Sequence, residues 1–313
     1  MGNGFDRRSF LKGAITCSLA ATGLNLAGGM GIFGDAWAAA QPVIAVAKNG
    51  TPEAMTKAAV MALGGMSRFV GKGDVVIVKP NIGWDRKPEQ AANTNPGVVK
   101  AVVKMCLEAG AKQVRVMDRT CNDPRRCYKQ SGIKDAVLSI GDPAVTVEHT
   151  DDRKFVTLPI KEGRSLRSWT FYKDMLEADK VINIPIAKHH NAARLTMGLK
   201  NVMGCLGGNR GNIHSDLDQN IADLNTVMKF DLVVLDAYRI LTGNGPQGGN
   251  LRDVKRMDTV IAGTDPVAVD SYGATLFGIT GRDVPHVLNA YKAGLGEVDL
   301  AKVRTVEADL GRA

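Results

Sequence analysis

Two adjacent histidines, His189 and His190, stand after Lys188 at the end of an apolar run, and residues 189–205 (HHNAARLTMGLKNVMGC) add Thr196, Lys200 and Asn201. Imidazole titrates near neutrality and can move protons. A lysine beside an amide can hold a carboxylate or phosphate. Read as a helix, this segment sets Thr196 and Lys200 four residues apart on one face. Comparable residues follow other apolar runs. Lys79 and Asn81 come after 75–78, Asp118 after 114–117, Asp236 after 232–235, and Asp265-Pro266 after 260–264. His189, His190, Asp118 and Asp236 are therefore candidate acid–base groups. Lys79, Asn81, Lys200, Asn201 and Asn244 are candidate anion-binding groups. His189, His214 and Cys205 suit a transition metal by residue type, although their spacing matches no known ligand pattern.

Two glycine-rich stretches, 204–211 and 242–249, flank this material. The first can turn backbone N–H groups toward an anion; the second has the length of a lid. Neither contains the Gly-Lys-Ser/Thr of a P-loop or the strand–GxGxxG–helix register of a dinucleotide site. A Gly-x-Ser-x-Gly elbow and a His-Glu-x-x-His helix are also absent from the sequence.

The elements that must position these residues alternate. Short apolar runs at 43–47, 75–78, 114–117, 145–148, 155–160, 181–186, 232–235 and 260–262 read as strands. Helical patterns occupy 52–69, 96–109, 125–138, 171–178, 195–205, 216–228, 267–277 and 284–293. This alternation predicts an α/β fold: a doubly wound, mostly parallel sheet with helices on both faces. Ligands of such sheets bind beyond the carboxyl ends of the strands, where the polar residues above fall. The charged stretch 150–168 can be an excursion between two lobes of a single domain spanning 41–313.

The N-terminus reads as an address. Asp6-Arg7-Arg8-Ser9-Phe10-Leu11-Lys12 precedes a moderately apolar stretch that ends in Ala38-Ala39-Ala40. The segment resembles a twin-arginine signal peptide covering residues 1–40, with Asp6 where Ser or Thr is usual. That implies a translocase partner and a periplasmic or other extracytoplasmic destination. A stable membrane span is not expected, because five glycines between Gly23 and Gly34 dilute the apolar stretch and Asp35 closes it.

The whole chain carries a formal charge of +8, and removal of residues 1–40 leaves +7. A mildly basic surface favours small anionic ligands. Aromatic residues are only 5% and the basic residues are scattered, which argues against nucleic acid. Cys106, Cys121, Cys127 and Cys205 remain after the signal; Cys121 and Cys127 are close enough in sequence to pair in an oxidising compartment. No cysteine run of the iron–sulfur type is present.

Several motifs in order resemble the Domain of Unknown Function 362 family: Lys79-Pro80-Asn81, Thr94-Asn95-Pro96, Ala109-Gly110-Ala111 before Asp118, Leu199-Lys200-Asn201, Gly243-Asn244-Gly245-Pro246 and Asp265-Pro266-Val267-Ala268-Val269-Asp270. The family's Lys-x-His element is matched by Lys188-His189-His190. The resemblance implies the fold and the site, and it brings an association with iron–sulfur redox modules that this sequence does not itself contain. The functional expectation is a redox-linked or metal-dependent enzyme acting on a small anionic substrate. The alternatives are a non-catalytic anion, metal or cofactor binder and an accessory subunit of an exported iron–sulfur redox complex.

Overall fold

The computed structural model describes residues 41–311. One device starts four of its helices. A capping side chain precedes a proline: Thr51-Pro52, Asn95-Pro96, Asp123-Pro124 and Asp265-Pro266. Each cap accepts a backbone N–H of the first turn, and each proline sits where its missing N–H costs nothing. The helices so opened are α1 (Pro52–Ala62), α2 (Pro96–Glu108), α3 (Pro124–Gln130) and α7 (Pro266–Thr275). The others are α4 (Ile133–Leu138), α5 (Lys173–Glu177), α6 (Leu217–Val227) and α8 (Pro285–Lys292).

The strands are β1 (Val43–Lys48), β2 (Val75–Pro80), β3 (Gln113–Asp118), β4 (Val145–His149), β5 (Phe155–Pro159), β6 (Ser168–Tyr172), β7 (Lys180–Ile184), β8 (Ile186–His190), β9 (Arg194–Thr196), β10 (Leu232–Leu241), β11 (Val254–Gly263) and β12 (Arg304–Asp309). The main sheet runs β12-β1-β11-β10-β7-β2-β3-β4. Its pairs from β10 through β4 are parallel, β11 is antiparallel to both neighbours, and β8 lies beside β10 and pairs with β9. The fold is thus the mostly parallel α/β sheet that the alternation predicted. Strand β2 is buried on both faces, which explains its unbroken apolar run. Alternate residues face opposite layers. Val76, Val78, Val234 and Ala262 join the core built on α1 and α2. Leu235 faces the other layer, where it approaches Gly273 of α7 so closely that a Cβ there would lie 2.7 Å away.

Several boundaries differ from the sequence pattern. Residues 171–178 split into the end of β6 and the short α5, and 150–168 form part of the β5–β6 hairpin. The supposed helix 195–205 is β9, a turn and a 3-10 helix, Lys200–Cys205. Strand β10 continues five residues beyond Asp236 to Leu241, with a register shift between Ala237 and Arg239. Strands β8 and β12 were not foreseen. No helix among the described residues is long and apolar enough to cross a membrane. The signal-peptide reading falls on residues outside those described.

Candidate functional site

Strands β2, β3 and β8 deliver their last residues to one edge of the sheet, and the 3-10 helix Lys200–Cys205 lies across them. The layer beneath is charged and closed. Lys79 Nζ is 2.7 Å from Asp118 Oδ1, with both side chains almost wholly buried. Asp118 Oδ2 accepts the Ile82 N–H at 2.7 Å, and Lys79 also donates to the Pro80 carbonyl at 3.0 Å. The Tyr128 hydroxyl accepts the Asp118 N–H at 2.8 Å, fixing the strand end. Gly204 passes directly over this ion pair: a Cβ there would stand 1.7 Å from Asp118 Oδ1 and 2.6 Å from Lys79 Nζ.

A chain of asparagine amides joins this layer to the turn above. Lys188 Nζ donates to Ala92 O at 2.6 Å and to Asn81 Oδ1 at 3.2 Å. Asn81 Nδ2 donates to Asn201 Oδ1 at 2.9 Å, Asn201 Nδ2 to Asn183 Oδ1 at 2.7 Å, and Asn183 Nδ2 to Gly198 O at 2.9 Å. The turn is held from the opposite side by Asp270 of α7. Its carboxylate accepts the Gly198 N–H at 2.7 Å and the Leu199 N–H at 2.9 Å. Burial raises the Asp270 pKa to about 7, against the pull of those two N–H groups.

Above lies a cavity of about 520 Å³. Lys188, Lys200, His190, Arg119 and Arg210 line it, with Thr196, Asn81, Asn201, Cys121 and His214. Asp118 is the single carboxylate on its wall among the described residues, and Lys79 already engages it. Burial lowers Lys188 to about 7 and Lys200 to about 8, with neighbouring cations adding to the effect. Lys188 is anchored by its two acceptors. Lys200 is 6% exposed and makes no hydrogen bond or ion pair among the described residues. Thr196 Oγ1 is buried and likewise without a hydrogen-bond partner. His190 Nδ1 accepts the Ala192 and Ala193 N–H groups, both at 3.1 Å. That leaves its hydrogen on Nε2. Burial, followed by the charges of Lys200 and Lys188, pushes its pKa down to about 2, so the ring is neutral. Arg119 and Arg210 bind carbonyls of the surrounding loops: Arg119 takes Leu206 and Gly208, and Arg210 takes Arg119 and Thr120.

The structure sorts the residues expected from sequence into three groups. His190, Asp118, Asn81, Lys200 and Asn201 line the cavity together. Lys79 is beneath it, fully buried, and serves Asp118 rather than the open space. His189, Asp236 and Asn244 lie off the cavity wall. Along β8 consecutive side chains point to opposite sides; His189 Nδ1 accepts the Gly245 N–H at 3.1 Å. Asp236 is inside β10, where it takes the Asn95 N–H at 2.7 Å and the Tyr238 N–H at 3.0 Å. Asn244 binds Asp253 at 2.9 Å. The three residues grouped by type as metal ligands, His189, His214 and Cys205, do not share one wall: Cys205 is fully buried, His214 is on the cavity wall and His189 is turned away. No set of three or more His, Cys, Asp or Glu side chains among the described residues is arranged to hold a metal. Cys121 and Cys127 are free thiols, and Cys127 Sγ instead approaches Gly83 O at 3.7 Å.

Sequence reasoning did not select Lys188, Arg119, Arg210, Cys121 or Asn183 as site residues. Lys188 and Arg119 immediately adjoin selected strand-end residues, so their signal was available. Arg210 and Asn183 reach the site through tertiary packing alone.

Among relatives, a thylakoid-associated protein of Synechocystis sp. is 27% identical over 241 residues, which make up 74% of this chain and 72% of that protein. Among solved structures, a Thermotoga maritima protein aligns with 73% of this chain at 14% identity and TM-score 0.44. The lactate racemase apoprotein of Thermoanaerobacterium thermosaccharolyticum aligns with 75% at 10% identity and TM-score 0.43. The chain spans 60% and 57% of those two chains, respectively. The sequence profile of a domain of unknown function, DUF362, matches residues 76–275, the stretch that contains both the ion-paired layer and the cavity above it, and the chain belongs to that family.

Proposed function

We propose that this chain is an exported enzyme that binds a small organic anion in the cavity above β2, β3 and β8 and acts on it by proton transfer. The observation that carries this reading is the pair Lys188 and Lys200, both buried in one cavity whose single described carboxylate already serves Lys79. Buried ammonium groups without a counter-ion are costly, and here the cost emerges as lowered pKa values. An anionic ligand supplies the missing charge. Arg119 and Arg210 add permanent positive charge at the same wall, while neutral His190 offers an Nε2–H to a ligand oxygen. Amines that titrate near neutrality are suited to give and take protons. Support for export comes from the Arg7-Arg8 signal and its alanine-rich end.

The test is calorimetric titration of the full chain at about pH 8 with inorganic phosphate, acetate and malonate, in buffers of different ionisation enthalpy. Ligand charge raises the lysine pKa values, so binding must take up protons. Saturable binding with buffer-dependent heat, lost in Lys200→Met, is expected. Failure of all three anions to bind, or binding that is unchanged in Lys200→Met, sinks the proposal.

A further inference from the structure

Lys188 and Lys200 are not equivalent, and the difference narrows the chemistry. Lys188 is committed to Ala92 O and Asn81 Oδ1. Lys200 lines the same cavity, is nine-tenths buried and has no acceptor among the described residues. A lysine that served only as a charge would be expected to meet an acceptor; an amine left without one, enclosed and near neutrality, has the character of a nucleophile. Its surroundings suit a carbonyl compound that also bears an acid group. Arg119 and Arg210 line the wall with guanidinium groups that can hold an acid group, so the amine is free to do something else. Thr196 Oγ1 has an unmet hydrogen-bonding requirement on that wall, and His190 has Nε2–H to donate to an oxygen.

Resting on the anion-binding reading above, we propose that Lys200 forms an imine with the carbonyl carbon of a small oxo acid. The Lys200 nitrogen attacks the carbonyl carbon, and the C–O π bond opens. The carbonyl oxygen then departs as water, carrying two protons that began on the Lys200 ammonium. The product is a protonated imine, so one ammonium and one carbonyl yield one iminium and one water. No oxidant or reductant is consumed. His190 Nε2–H and Thr196 Oγ1 hydrogen-bond the departing oxygen, and Asp270 is a positioning residue, since it fixes the turn that carries Lys200.

The experiment incubates the full chain separately with glyoxylate, pyruvate and 2-oxoglutarate in the presence of cyanoborohydride, followed by intact mass and peptide mapping. The expected result is one reduced adduct per chain, on the peptide containing Lys200, with at least one of the three acids. In Lys200→Met the adduct disappears, and in Lys161→Met, which alters an exposed lysine away from the cavity, it persists. Mapping in the unaltered protein decides the matter even if a variant fails to fold. A second readout is deuterium entry into the methyl group of pyruvate in D2O, accelerated by the unaltered protein and not by Lys200→Met. An adduct on Lys188, adducts spread over surface lysines, or no adduct with any of the acids overturns the inference. If phosphate, acetate or malonate still binds with proton uptake, only the imine fails; if no anion binds, the cavity reading fails with it.

Discussion

Replacing Asp118 by Asn should remove a large share of the stability margin without touching the fold's apolar core. Asp118 and Lys79 are a buried pair at 2.7 Å, with side-chain exposures of 2% and 0%. Asparagine can still accept the Ile82 N–H, which Asp118 Oδ2 now takes at 2.7 Å. What it cannot do is neutralise Lys79, whose remaining acceptor is the Pro80 carbonyl. Removing one member of a buried pair costs about 3–5 kcal/mol, because the other charge is stranded. Against a total of about 5–15 kcal/mol for a domain, that is about a fifth of the margin or more. Urea unfolding of the full chain, read by circular dichroism, measures the loss. Lys79→Met/Asp118→Asn, which removes both charges, should recover most of it, and the four-protein cycle isolates the coupling. A loss in Asp118→Asn below about 1 kcal/mol, the scale of an exposed pair, would refute the reasoning.

Gly204→Ala should be nearly as damaging, since its Cβ would collide with both members of the pair; a thermal melt within about 2 °C of the parent would contradict this. The buried lysines give stability a distinctive pH dependence. Lys188 has a folded pKa of about 7 and Lys200 about 8, each below the ordinary 10.5, so above those values the unfolded chain holds protons that the folded chain has released. Stability must therefore rise with pH from about 7 toward 10, by up to about 1.4 kcal/mol per pH unit for each group. The charged or titratable neighbours acting on these amines are Cys121, Lys79, Asp118, Arg210 and Asp218. Lys188→Met should flatten the slope in urea titrations, and an unchanged slope would count against the assigned burial. Exchange of Arg7 and Arg8 for Lys should retain the protein in the cytoplasm of its host, as judged by fractionation, whereas undiminished export would reject the signal-peptide reading.

The sheet was legible because its central strands are short apolar runs with polar ends, and the helices because of their periodic pattern, with cap–proline pairs marking the starts of four of them. The residues 195–205 misled because their apolar spacing fits a helix, yet Gly198 and Gly204 are there for close approach to Asp270 and Asp118. Thr196 and Lys200 still share one cavity, reached from β9 and a 3-10 turn rather than from one helical face. Asp236 misled because a charged residue was read as a strand end; a buried carboxylate with two N–H partners can continue a strand. Choosing between His189 and His190 requires knowing which side of β8 faces the cavity, and that is set by register against β10 and β9. The division of labour between Lys79 and Lys188 is equally a tertiary matter, since both end apolar runs in the sequence.

The amide chain Asn81–Asn201–Asn183 ends on a backbone carbonyl, Gly198 O. Carboxamides neither gain nor lose a proton in the physiological range, so this chain fixes geometry but does not conduct. It is an insulator between Lys188 and the interior. The route left for a proton from these amines is the cavity itself, through its other walls or through whatever occupies it. If the proposed ligand seats there, a hydrogen removed from it can be returned before it is diluted into solvent.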